Sequence, residues 1–166
     1  MQIRLRHACR SAAIAGVVAV LAGPVLAQTP NAPDAQVGTW KLNLAKSKYS
    51  PGPAPQSATT KIEAAGAGTK VIVDQSPTDG PVRHWEFTAN YDGKDMPVTG
   101  NNPDADMIAR TRIDASTVNS ILKKSGKITT RQTSVVSSDG KVRTVTTVGT
   151  NAAGQPVNNV AVYDKQ

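Results

Sequence analysis

The chain has 166 residues, a formal charge of +7, one cysteine, two histidines and only six aromatic residues. A single cysteine excludes an internal disulfide and a thiolate-rich zinc site, and the Lys and Arg residues are too scattered to make the basic stripe of a nucleic-acid-binding face. The length suits one ordinary domain with its own core.

At the N-terminus, Arg4, Arg6 and Arg10 precede an apolar run from Ala12 to Leu21, and small residues follow at Val25-Leu26-Ala27. A charged stretch, a short apolar stretch and a small-x-small ending are the requirements of a cleavable secretory signal, here residues 1–27. The apolar run falls short of the roughly 20 residues that a spanning helix needs. Gly23 and Pro24 interrupt any helix before the cleavage point. Removal is therefore expected, with no stable membrane insertion afterwards and a periplasmic or secreted destination. Cleavage after Ala27 takes away three arginines and Cys9, which lowers the formal charge to +4 and leaves no thiol. The core must then hold the fold without covalent help.

Residues 28–36 are rich in Pro, Asn and Ala without apolar periodicity and read as a flexible leader. From Val37 to the end, residues 37–166 read as one domain: short β-branched and aromatic runs are separated by Gly, Asp, Asn and Pro clusters. Strands are predicted at 38–43, 57–64, 69–75, 82–91, 96–99, 107–114, 116–123, 127–137, 141–149 and 157–164. The pairs Asp92-Gly93, Ser125-Gly126 and Asp139-Gly140 supply the positive φ that tight hairpins require. The expected architecture is all-β, an antiparallel up-and-down barrel of 8–10 strands, closed because closure removes exposed sheet edges.

In the fourth strand Trp85, Phe87, Ala89 and Tyr91 share one face and should point inward, with His84, Glu86, Thr88 and Asn90 outward. In the last strand Val157, Asn159, Ala161 and Tyr163 alternate with Asn158, Val160, Val162 and Asp164, and neither set is clearly the inner one. Six aromatics are few for filling such a barrel. Two interiors are compatible with that: a partly polar one that holds water or a ligand, or a flattened one packed with small aliphatic residues.

Gly38-Thr39-Trp40-Lys41-Leu42 resembles the Gly-x-Trp opening of calycins, the superfamily of lipocalins and fatty-acid-binding proteins, and Val162-Tyr163-Asp164-Lys165 resembles the closing strand of the latter. The runs Gly38 to Lys48, Tyr91 to Gly100 and Pro156 to Lys165 resemble small exported bacterial proteins without an assigned function. The calycin resemblance implies that Trp40 plugs the closed end of the barrel and that Tyr163 is a structural element of the last strand. Two departures stand against a fatty acid held in the manner of the family. Ala161 occupies the position of the carboxylate-binding arginine, and Pro51, Pro53 and Pro55 preclude the helical lid after the first strand. What remains is an open cup for another small hydrophobic molecule, with Trp85, Phe87 and Tyr91 as its contacts.

No catalytic constellation stands out, so an enzyme is not expected. After cleavage His84 is the sole histidine, and no Gly-x-Ser-x-Gly elbow, phosphate-binding glycine loop or His-Glu-x-x-His pair occurs. Asn102, Asp104 and Asp106 have the alternation that opens a calcium loop, but Met107 and Ile113 replace its later Gly and Glu, and no metal or other cofactor is expected. The cluster Asp92-Gly93-Lys94-Asp95 is either a binding lip at the barrel mouth or an ordinary hairpin turn. The alternative to ligand binding is a structural or protein-interaction module of the envelope, by analogy with lipocalin-like protease inhibitors, in which the leader engages a protein partner.

Overall fold

The computed structural model describes residues 33–166. The expected signal sequence, residues 1–27, and most of the expected leader lie outside the described residues. Eleven strands follow one another: β1 (Gly38–Leu42), β2 (Ser57–Ala65), β3 (Gly68–Ser76), β4 (Arg83–Asn90), β5 (Asp92–Pro97), β6 (Thr99–Gly100), β7 (Met107–Arg112), β8 (Thr117–Lys124), β9 (Lys127–Val136), β10 (Val142–Thr150) and β11 (Pro156–Lys165). The sole helical element among the described residues is a 3₁₀ turn at Leu44–Lys46.

All pairings are antiparallel, and β1 pairs with both β2 and β11, so first and last strands meet. The result is a nearly closed up-and-down barrel, the architecture that the strand spacing and turn chemistry implied. The β8–β9 hairpin shows the local cause. Ser125 and Gly126 have φ of 51° and 77°, the two successive positive values of a tight turn whose twist matches that of its strands.

One predicted strand is drawn differently. The stretch 92–100 begins four residues earlier than its sequence pattern suggested and divides at Pro97. Its first half, β5, pairs with β7, and its second half, β6, pairs with β4. Proline cannot donate a ladder hydrogen bond, so the chain changes partner there and spans the seam. Gly100 makes the second contact possible: its φ is +100°, and a Cβ would stand 2.2 Å from the His84 carbonyl oxygen.

The base of the barrel is sealed by Trp40, which is fully buried against Ile62, Val71 and Val136. Its indole Nε1 donates to the Gln36 carbonyl at 2.9 Å, the partner that a buried indole requires. Gln36 itself has no exposed surface. This corrects the reading of 28–36 as leader up to its last residue. Asp34, Ala35 and Gln36 belong to the barrel, because a side chain with four hydrogen-bonding groups is satisfied there at low entropic cost to a chain already anchored by Trp40.

The interior is partly polar. Thr60, Thr69, Arg110, Ser120, Thr130, Ser134 and Arg143 are buried among the aliphatic residues. Of the two interiors left open by the sequence, the structure shows the partly polar character of the first.

Candidate functional site: a cavity at the barrel mouth

The strap Tyr49–Pro55 and the β3–β4, β6–β7 and β10–β11 turns gather at one end, and between them lies a part-open cavity of about 480 Å³. Three proline-containing connections frame it, and prolines restrict backbone freedom around the opening. The strap is tied down on both sides. Ser50 exchanges backbone and side-chain bonds with Asn158 and Asn159 at 2.7 and 2.8 Å, and Thr78 Oγ1 donates to the Ala54 carbonyl at 2.8 Å.

Register explains the wall. Thr147 of β10 stands opposite Gln132 of β9 and opposite Asn159 of β11, and all three line the cavity. They form a polar row across three adjacent strands. Trp85 lines the facing side, and Leu122, Val145, Ala161 and Tyr163 supply apolar surface lower down. At the rim, Arg83 Nη1 donates to Gln75 Oε1 at 3.3 Å, near Asp79 and Asp104.

Tyr163 reaches from this floor into the layer beneath. Its ring centroid lies 5.6 Å from Cζ of Arg143, the residue opposite it in the β10–β11 register. Arg143 is only 9% exposed; its Nε donates to Ser134 Oγ at 2.8 Å and to Gln36 Oε1 at 3.2 Å. No hydrogen bond of its two terminal nitrogens is found among the described residues. Burial lowers its pKa to about 10, so the guanidinium remains charged at neutral pH. Burial raises the pKa of Tyr163, which keeps the phenol neutral.

Arg110, 3% exposed, donates to Thr69 Oγ1 at 2.6 Å and lies 5.0 Å from the Tyr91 ring centroid. Neither Arg110 nor Arg143 has an ion-pair partner among the described residues. The carboxylate of this region is Asp34, and it is engaged with Arg112 and with the Tyr91 hydroxyl at 2.6 Å. Burial pushes the Asp34 pKa up, but hydrogen bonds from Tyr91, the Gln36 backbone and Arg112 outweigh it and hold the group below its usual 3.8. Among the described residues Asp34 is ion-paired to Arg112 alone.

The residues singled out from the sequence separate on the structure. Trp85 lines the cavity, whereas Phe87 is packed into the core beside Trp40 and Ile108 and Tyr91 belongs to the base with Asp34. The Asp92–Asp95 cluster lies outside the cavity lining, at the start of β5. His84 is an exposed residue whose Nδ1 is 2.7 Å from Asp74 Oδ1. Asn102 closes a local turn by accepting from the Asp104 and Ala105 amides, and the described residues contain no group of three or more potential metal-ligating His, Cys, Asp or Glu side chains. Sequence reasoning missed Gln132, Thr147, Asn159, Arg110 and Arg143. Alternation in β10 gave no signal for Arg143, because both of its alternating sets hold Val and Thr.

No family model matches this chain, and comparison with the curated proteins and with the solved structures gives no match.

Proposed function

We propose that this chain is an exported, calycin-type binding protein that holds one small molecule in the mouth cavity and performs no chemistry on it. The cavity carries the reading. Its volume of about 480 Å³ falls within the roughly 300–1,000 Å³ of small-molecule sites, and it combines apolar surface with a few convergent polar groups. The polar row Gln132–Thr147–Asn159 shifts the expected ligand from a purely hydrophobic molecule to an amphipathic one, since amide and hydroxyl groups buried under an alkyl chain would lose their water without replacement.

The experiment is native mass spectrometry of the full-length protein purified without denaturation from the cells that produce it. A reproducible extra mass that is released on unfolding is expected. A bare protein, together with unchanged Trp85 fluorescence across a library of small metabolites, would refute the reading.

A further inference from the structure

We infer that the cavity takes an uncharged, polyhydroxylated ligand of two linked sugar rings, with a ring face on Trp85 and hydroxyl edges against Gln132, Thr147 and Asn159. This rests on the binding reading above and gives that site a ligand class.

The wall carries the hydroxyl preference. Thr130 and Ser134 of β9, Val145 of β10 and Ala161 of β11 are buried, and side chains two residues apart along a strand share its face. Gln132, Thr147 and Asn159 therefore point inward as well, and register sets them side by side across three strands. Among the described residues the Gln132 amide and the Thr147 hydroxyl make no side-chain hydrogen bond, and Asp106 Oδ1 is the one buried side-chain polar atom without a partner. The two groups are thus open to the cavity that they line. Asn159 Oδ1 accepts from the Ser50 amide, which leaves its nitrogen to donate. A side-chain amide offers a donor and an acceptor side by side, the complement of two neighbouring ring hydroxyls. Adjacent strands lie about 4.8 Å apart, so the row spans about 10 Å, longer than a single sugar ring.

Charge placement makes the ligand neutral. The ionised side chains of the lining are Asp79, Arg83 and Asp104, which sit in the turns and at the strand start of the rim. Arg83 is bonded to Gln75, and the Asp104 carboxylate accepts from the Ala152 amide at 3.0 Å. An anion meets two carboxylates there and a guanidinium that already has a partner. A cation is held at the rim, short of the polar row. An alkyl chain strips the row of water and returns no hydrogen bond. A sugar ring suits both walls, because its C–H faces are apolar and its edges are hydroxyls. Trp85, on the facing side, offers a flat apolar surface to such a face. Its neighbours in the sheet are Val73 of β3 and Gly100 of β6, and the glycine sets no side chain beside the ring.

Titration calorimetry against the full chain tests the class with probes that differ in charge and polarity. Cellobiose, maltose, lactose and diacetylchitobiose are the neutral two-ring probes. The dimer of glucosamine is a cationic one, lactobionate is an anion with the same wealth of hydroxyls, and octanol is an apolar chain. At least one neutral disaccharide is expected to bind tenfold or more tightly than the dimer of glucosamine, lactobionate and octanol. Trp85→Leu and Gln132→Leu should each weaken that binding at least tenfold. Far-ultraviolet circular dichroism and melting temperature verify that each variant is folded, and Gln132→Leu carries the test alone if Trp85→Leu does not fold. A charged probe or octanol that binds as tightly as the best neutral disaccharide overturns the inference and leaves the small-molecule reading standing. Unchanged affinity in the folded variants overturns it too, since the sugar would then sit elsewhere. If no disaccharide binds, the inference fails, and a small molecule retained in native mass spectrometry still decides for the binding reading on its own.

Discussion

Gln36 and Trp40 lock each other into the base of the barrel: the Trp40 indole donates to the Gln36 backbone carbonyl at 2.9 Å, while the Gln36 side chain crosses the interior to Ser116 and Ser134. The segment that enters the first strand is thereby also the plug beneath it. Removing either partner leaves the other with a buried polar group and no water to satisfy it.

Gln36→Ala should destabilise the protein by about 2–4 kcal/mol, because several buried hydrogen bonds are lost together and Ser134 and Arg143 lose a shared acceptor. Urea denaturation monitored by Trp fluorescence measures it. A loss below about 0.5 kcal/mol, the range of ordinary surface changes, would show that the plug is dispensable.

Trp40→Phe isolates the indole bond, since most of the ring volume stays. The expected cost is about 1–3 kcal/mol from the orphaned Gln36 carbonyl and the residual gap. Trp40→Ala should cost more, on the order of 3–5 kcal/mol, and both values come from the same denaturation series.

Asp34 gives the base a pH dependence with a definite sign. Its folded pKa lies below the ordinary 3.8, so its contribution is complete above that value and is lost as pH falls through the lower folded one. Asp34→Asn should lower stability at pH 7 by about 1–3 kcal/mol, the range for hydrogen bonds to charged groups. Melting curves of the two proteins should converge as pH falls below 3.8 and through the folded value. A difference that persists unchanged through acid titration would mean that the carboxylate charge is not what Arg112 and Tyr91 hold.

Arg143 has the opposite character, a charge that the fold tolerates at a cost. Arg143→Met should leave the unliganded protein at least as stable as the parent within about 1 kcal/mol, as buried unpaired ions replaced by apolar groups commonly do. The folded pKa of about 10, below the ordinary arginine range, fixes the pH sign. The unfavourable contribution is fully present below pH 10 and fades above it, so any advantage of the variant should narrow there. A large destabilisation at neutral pH would assign Arg143 to structural support.

Gly100→Ala tests the seam. A Cβ 2.2 Å from the His84 oxygen, on a backbone with φ of +100°, forces β6 away from β4. Hydrogen exchange should rise in β4 and β6 and stay unchanged in the β9–β10–β11 wall. Unaltered exchange at the seam would mean that β6 contributes nothing to closure.

The linear pattern was sufficient for much of this architecture. Strand runs, the Ser125-Gly126 turn and the inward face of β4 follow from residue type and a period of two, because those are local properties of the backbone. The Gly38-Thr39-Trp40 opening carried the expectation of an inward Trp40, and its side chain is fully buried. The face of β10 was not legible: Val142, Thr144, Thr146 and Val148 are as apolar as Val145 and Thr147, so alternation gave no reason to turn Arg143 inward. The same ambiguity held for β11, whose inner set of Asn159, Ala161 and Tyr163 is set by pairing with β10 and β1. Composition determined that this chain would form a hairpin-rich β structure with few bulky groups. Only barrel closure decided that two arginines would lie inside it, because the acceptors that hold them, Gln36, Thr69 and Ser134, are residues distant in sequence that meet when the first strand closes on the last.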